Sequence, residues 1–151
     1  MRTGLTAAVV IAPLQPGDRA EWEILARGYK AFYEDPVADP VYDAVWARLM
    51  DEGPIHGLCA GSDGAMIGIV HYLVHAHTWH GESCYLQDLF TAPEARGKGV
   101  ARALIDAVGV EAKARGAASL YWLTKHDNAP ARLLYDKVAR NKGFIRYDYP
   151  L

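Results

Sequence analysis

The sequence predicts a mixed α/β fold of the α+β type, a sheet layered with helices, and three observations carry that expectation. The chain has 151 residues, 51% hydrophobic and 23% charged, a globular composition long enough for one real core. Strand-like apolar runs and helical i, i+3, i+4 patterns occur in the order β, α, α, β, β, β, α, β, α, β. The middle strands are joined by hairpin signals rather than by helical crossovers, which makes that part of the sheet antiparallel.

The elements can be justified in turn. Residues 7–12 form a short apolar strand, closed by Pro13 and the turn Pro16-Gly17. Asp18 is placed to cap a helix to about Tyr33, with Trp22, Leu25, Ala26 and Tyr29 at helical spacing. Asp35-Pro36 to Asp39-Pro40 breaks it, and a second helix over 41–50 stops at Gly53. Residues 55–60 and 65–74 are strands around Gly61-Ser62-Asp63-Gly64, and a looser turn at Trp79-His80-Gly81 leads to a strand at 85–91. A helix over 97–115 turns Ala101, Leu104, Ile105, Val108 and Ala112 to one face. Its other face carries Arg102/Asp106 and Glu111/Arg115 four residues apart. A strand at 119–124, a helix at 128–141 and a last strand at 144–149 after Gly143 complete the order. With no repeat and no low-complexity linker, residues 1–151 read as a single domain.

The bulk numbers exclude several classes of function. A net charge of −2 argues against general affinity for nucleic acid or anionic membranes, so any polyanion must be held by a local cluster. No apolar run approaches a membrane span, the first residues lack a signal-peptide pattern, and Cys59 and Cys84 form no metal or redox motif. A reduced, cytoplasmic enzyme or binding protein is expected.

The most informative segment is Arg96-Gly97-Lys98-Gly99-Val100-Ala101, between a strand and a strongly patterned helix. Its glycines let backbone approach a ligand, and the helix start offers N–H groups without intrahelical partners. Arg96, Lys98 and Arg102 crowd an end where the helix dipole by itself favours acidic residues. A bound polyanion such as a pyrophosphate relieves that conflict. The loop comes too late in the chain for a dinucleotide-binding fingerprint, and no Gly-Lys-Ser/Thr of a P-loop is present.

The segment resembles the Q/R-x-x-G-x-G/A loop of the GNAT superfamily of N-acetyltransferases and fills it without a gap. The likeness extends to Tyr85-Leu86-Gln87-Asp88-Leu89-Phe90 upstream and to Asn128-Ala129-Pro130 through Tyr135 downstream. Within the superfamily the chain looks most like the spermidine/spermine and histone/polyamine-type enzymes. The resemblance implies a GNAT-like, mostly antiparallel central sheet with helices on both faces, acetyl-CoA as co-substrate, and a homodimer. It implies that backbone from Gly97, Lys98, Gly99, Val100, Ala101 and Arg102, beside Arg96, holds the pyrophosphate. It further implies that Leu89, Phe90 and Thr91 pair with the pantetheine arm and polarise the thioester carbonyl, and that Asn128 helps to bind that arm.

Acetyl transfer to an amine needs a neutral amine, donors for the developing oxyanion, and a proton for the departing thiolate. An alkyl amine has a pKa of about 10, so at pH 7 its proton must be removed. By resemblance Tyr135 is the acid that donates to the coenzyme A sulfur; packing against Leu134 and Val138 is its plainer reading. Polyamine enzymes carry glutamate where this chain has Gln87, which cannot accept a proton, so the base is open. Asp88 has two readings, orienting a water or cationic acceptor, or hydrogen-bonding loop backbone. Tyr33, Glu34 and Gln87 are candidates for contact with the acceptor, with Asp35 read as a solvated helix-end residue. Tyr29, Trp46 and Trp79 are either core residues or part of the acceptor mouth. His71, His75 and His77 share a strand face, but their spacing is poor for a metal site and none is expected. Cys84 reads as a core thiol rather than an acetyl carrier.

The expected function is acetyl transfer from acetyl-CoA to a primary amine of a small molecule by direct attack, with no nucleic acid or membrane partner. The alternatives are a protein lysine or N-terminal acetyltransferase, a non-catalytic acyl-CoA sensor, and more distantly a nucleotide-binding enzyme.

Overall fold

The computed structural model describes residues 8–151. Residue 7 of the expected first strand lies outside the described residues. Five strands form one sheet in chain order: β1 (Val10–Pro13), β2 (Ile55–Ser62), β3 (Ala65–Ala76), β4 (Glu82–Thr91) and β5 (Ser119–Tyr121). The first four pair antiparallel, and β5 joins β4 in parallel. The hairpin read at Asp63-Gly64 turns through φ of +52° and +77°, the left-handed pair that a two-residue turn between right-twisted strands requires.

Helices cover both faces because successive side chains of a strand point to opposite sides. On one side His71 of β3 meets Trp22 of α1 (Arg19–Phe32), and Trp22 packs on Trp46 of α2 (Asp39–Met50) with ring centroids 5.0 Å apart. On the other, Gly68 and Tyr72 of β3 lie under α3 (Val100–Ala114), which buries Val100, Leu104, Ile105, Val108 and Ala112. Glycine at 68 is dictated by close approach, since a Cβ there would stand 2.9 Å from Val100 Cγ1 and 3.0 Å from Leu104 Cδ1. That contact presses the start of α3, and the loop before it, onto the sheet. A short 3-10 turn at Pro16–Asp18 leads into α1, and α4 (Ala129–Val138) starts with Pro130 in its first turn, where no N–H is missed.

Four expectations are corrected. The helix expected from Gly97 begins at Val100, because Gly97 and Gly99 stand at φ of +77° and +80° and cannot be helical. The strand expected at 119–124 ends at Tyr121, where it leaves β4. The helix expected to Asn141 ends at Val138; Ala139 is already extended, and Arg140, Asn141 and Lys142 offer no apolar side chain to hold another turn on the core. Residues 144–149, expected as a last strand, form no strand and do not join the sheet.

Candidate active site

The pairing of β4 with β5 covers Ser83–Ser119, Cys84–Leu120 and Tyr85–Tyr121 and then stops. Beyond it the two strands separate, and the β5-facing backbone of β4 from Leu86 onward has no strand partner. At the same point β4 carries a bulge: His71 pairs with Asp88 but the next residue, Tyr72, pairs with Leu86, so Gln87 is the extra residue. The cleft between the strands is walled by Tyr29 and Tyr33 of α1, Leu86, Gln87 and Leu89 of β4, Trp122 and Leu123 after β5, and Tyr135 of α4. Tyr135 meets Trp122 edge-on at 5.4 Å between centroids. Burial, then the neighbouring Tyr33, push its pKa up to about 12, so the phenol stays protonated at neutral pH. Asn128 caps α4 without a side-chain bond to the helix; its amide nitrogen donates to Thr124 Oγ1 at 3.3 Å.

Past the end of β4 at Thr91 the chain runs through a short turn into the Arg96–Arg102 segment. A Cβ on Gly97 or Gly99 would meet nothing within 4 Å, so the loop opens outward rather than against protein. The α3 start has no side-chain cap and no acidic residue in its first turn. These free N–H groups and the open glycine backbone fit a pyrophosphate. Lys98 has no ion pair among the described residues. Arg102 reaches Asp106 at 3.5 Å on the helix surface. Arg96 lies 5.6 Å from the ring centres of both Phe32 and Phe90, a cation–π seat that ties the loop to α1 and β4.

Asp88 belongs to a polar chain running into the core. The Trp22 indole N–H donates to His71 Nε2 at 3.0 Å, and His71 Nδ1 lies 2.9 Å from Asp88 Oδ2. An indole nitrogen only donates, so His71 Nε2 must accept and its proton sits on Nδ1, pointing at Asp88. Burial raises the Asp88 pKa, but the bond from His71, the Tyr29 hydroxyl beside it and the charge of Lys30 outweigh that, and the net shift is downward. Burial, then the Asp88 charge, push the Tyr29 hydroxyl up in turn, which keeps it a donor. Asp88 is therefore a fixed anion with 28% of its side chain accessible. Of its two readings, the second finds no support, because its hydrogen-bond partner is a side chain and not loop backbone.

The remaining candidates fall on both sides of the cleft wall. Tyr33 and Gln87 line it, whereas Glu34 sits exposed at φ +52° past α1 and lines no groove among those described. Asp35 is paired with Lys30 at 2.9 Å, a surface contact as expected. Trp46 is packed on Trp22 and Trp79 is exposed in its turn, so neither belongs to the mouth. Cys84 is fully buried with its pKa pushed up to about 11 by burial. Among the described residues no three His, Cys, Asp or Glu side chains gather as a metal site. His75 reaches Tyr121, and His77 stacks on His80 at 3.7 Å instead. Tyr29, read from the sequence as core or acceptor mouth, lines the cleft, while Trp122 and the Trp22–His71–Asp88 chain are what sequence reasoning did not place.

A sheet that opens between two parallel strands beside a glycine-rich, uncapped helix start defines a class: an acyl-CoA-dependent transferase. Residues 22–139 match the acetyltransferase (GNAT) family, and the chain belongs to it. It is 35% identical over 143 residues to a D-amino-acid N-acetyltransferase of Saccharomyces cerevisiae, covering 92% of this chain and 89% of that one. A ribosomal-protein-alanine N-acetyltransferase of Brucella melitensis superposes with a TM-score of 0.82 at 25% identity, covering 95% of this chain and 100% of that one. An aminoglycoside N-acetyltransferase in complex with CoA has the same fold, with a TM-score of 0.87 at 16% identity over 99% and 98% of the chains. The protein is an acetyl-CoA-dependent N-acetyltransferase.

Proposed function

We propose that this chain is a single catalytic domain, a cytoplasmic homodimeric enzyme that acetylates the primary amine of a small cationic molecule by direct attack. The observation that carries the acceptor class is the Asp88 anion, held by His71 and beside the hydroxyl of Tyr29, which lines the cleft. A single buried-edge carboxylate attracts one ammonium group and leaves little room for a folded partner. The yeast relative's D-amino acids carry one such ammonium group; the Brucella protein's name makes a protein N-terminus the second reading. No nucleic acid or membrane partner is proposed; no described helix is long and apolar enough to cross a membrane.

Backbone N–H groups of residues 97–102, with Lys98, would hold the pyrophosphate. The unpaired edge of β4 at Leu89, Phe90 and Thr91 would take the pantetheine arm as an added strand and donate to the thioester carbonyl, with Asn128 beside the arm. The co-substrate supplies an acetyl group already activated as a thioester. Asp88 is a poor base, since its pKa lies below that of a free carboxylate while the amine holds its proton to about pH 10. Its role is to draw in and orient the amine, whose ammonium proton must pass to hydroxide or buffer in solution before attack, while Gln87 contacts the acceptor through its amide. Tyr135, at about 12, stands above an ordinary thiol near 8.5, so it stabilises the leaving sulfur by hydrogen bonding rather than by full proton transfer.

Release of free thiol from acetyl-CoA against polyamines, amino acids of both hands, aminoglycosides and lysine peptides tests this reading. Turnover confined to peptides would overturn the acceptor assignment. Binding of acetyl-CoA with no turnover on any amine would favour the sensor.

A further inference from the structure

Beside the cleft stands a cation that acetyl transfer itself does not use. Lys125 lies in the turn between β5 and α4, two residues past Leu123 of the cleft lining. Its Nζ is 5.8 Å from the ring centre of Tyr33 at the end of α1, within the range at which an aromatic face holds an ammonium. The turn that carries it is pinned on both sides. Lys125 O accepts from the Asn128 N–H at 3.0 Å, the Asn128 side-chain amide donates to Thr124 Oγ1 at 3.3 Å, and the Arg132 guanidinium donates to His126 O at 2.7 Å.

The charge of Lys125 is nevertheless unspent. Of the neighbouring cations, Lys30 is paired with Asp35, and Arg96 is seated on Phe32 and Phe90. Lys125 forms no ion pair among the described residues, although Asp127 is two positions away. Tyr33 also senses the opposite charge: burial first, and then the Asp88 anion, push its hydroxyl up. One cleft-lining ring is thus under the influence of a fixed anion and of a free cation. An acceptor carrying only ammonium groups would satisfy Asp88 and meet Lys125 as a like charge. One that carries an ammonium and a carboxylate satisfies both.

We propose that Lys125 binds a carboxylate of the acceptor, so that the substrate is an amino acid, its amine oriented by Asp88 and its carboxylate held by the Lys125 ammonium beside Tyr33. This rests on the small-amine reading above and narrows it to amines that bear an anionic group of their own. The three donors of Nζ, on a flexible stem, reach a carboxylate without leaving the aromatic face. Lys125 touches no reacting atom; it selects the acceptor through a charge-assisted hydrogen bond and rejects polyamines by repelling their second ammonium.

The test compares matched acceptors with acetyl-CoA: an α-amino acid against its carboxamide, and lysine against the diamine left by its decarboxylation. Wild type, Lys125→Met and Lys125→Glu are measured on each. Methionine keeps an apolar stem on Tyr33 and removes the charge alone. In the wild type the acid of each pair has the higher kcat/KM, and the advantage shrinks as salt rises. Lys125→Met cuts the acid-to-partner ratio about tenfold, through the KM of the acid, with the melting temperature and acetyl-CoA affinity held. Lys125→Glu turns the preference towards the diamine. Ratios equal in wild type and Lys125→Met overturn the carboxylate site and leave the small-amine reading standing. A fall in acetyl-CoA affinity without a change in ratio assigns the charge to the co-substrate and overturns the site as well. Turnover confined to peptides overturns both readings together.

Discussion

His71 Nδ1 and Asp88 Oδ2 lie 2.9 Å apart on paired strands, at the register step where β4 bulges. The bulge leaves Gln87 as the extra residue at the cleft, while Asp88 stays across from His71, whose other nitrogen is occupied by Trp22. One packing device thus fixes the position, the protonation and the orientation of the Asp88 carboxylate beside Tyr29.

Replacing His71 with leucine removes the donor to Asp88 and orphans the Trp22 N–H. Stability falls by about 1–3 kcal/mol, the usual cost of stranding a buried polar group. The amine kcat/KM falls about tenfold, chiefly through KM, because the ammonium loses an oriented partner. The pH dependence carries the sign. The lowered Asp88 pKa stabilises the fold above about pH 4, near the unfolded value, and that contribution is lost as pH falls through the folded one. Without His71 the folded pKa rises, so melting temperatures measured from pH 5 to pH 3 drop less steeply in the variant. An unchanged slope would mean that His71 does not hold Asp88.

Tyr135→Phe keeps the ring packed on Trp122 and removes the hydroxyl alone. Turnover falls about a hundredfold while acetyl-CoA affinity holds, as for loss of one donor to developing charge. With its pKa near 12, Tyr135 leaves no alkaline limb between pH 7 and pH 10 in the wild-type rate profile. Stopped single-turnover rates across that range check both points; an equal rate in the variant would remove Tyr135 from the reaction.

The parts legible in the sequence are those set by local chemistry. Asp63-Gly64 and the Gly97/Gly99 pair declare their left-handed conformations by residue type, and α1 and α3 declare their buried stripes by period. The Trp22–His71 bond joins residues 49 apart in the chain, and nothing in the spacing of either announces it. The bulge at Gln87 is equally silent, because the segment still reads as an alternating strand. Residues 144–149 do have strand composition, but composition names no partner, and a strand exists only where an edge receives it.

Gly99→Ala tests the phosphate loop without crowding the free protein, since its Cβ would meet nothing within 4 Å. The left-handed φ of +80° costs about 1 kcal/mol with a side chain, a small drop in melting temperature. The methyl group points into the open space that the proposed pyrophosphate site would use, so acetyl-CoA affinity falls at least about tenfold, beyond what the fold loses. Lys98→Ala weakens binding more at low salt than at high salt, as screening of an exposed charge demands. Calorimetric titration of both variants at two ionic strengths separates backbone from charge; a Gly99→Ala affinity equal to wild type would move the pyrophosphate elsewhere.

Cys84 separates direct attack from a route through an acetylated enzyme. It is fully buried on β4, opposite Val74 and Leu120, and burial pushes its pKa up to about 11. At pH 7 only about one thiol in ten thousand is then ionised, too few for a nucleophile that needs the thiolate. Cys84→Ala therefore keeps amine turnover within about twofold, with a stability loss of about 1 kcal/mol for the cavity. Mass spectrometry of the wild type mixed with acetyl-CoA in the absence of amine shows no added acetyl group. An acetylated peptide containing Cys84, or inactivity of a folded Cys84→Ala variant, would replace direct attack with a two-step transfer.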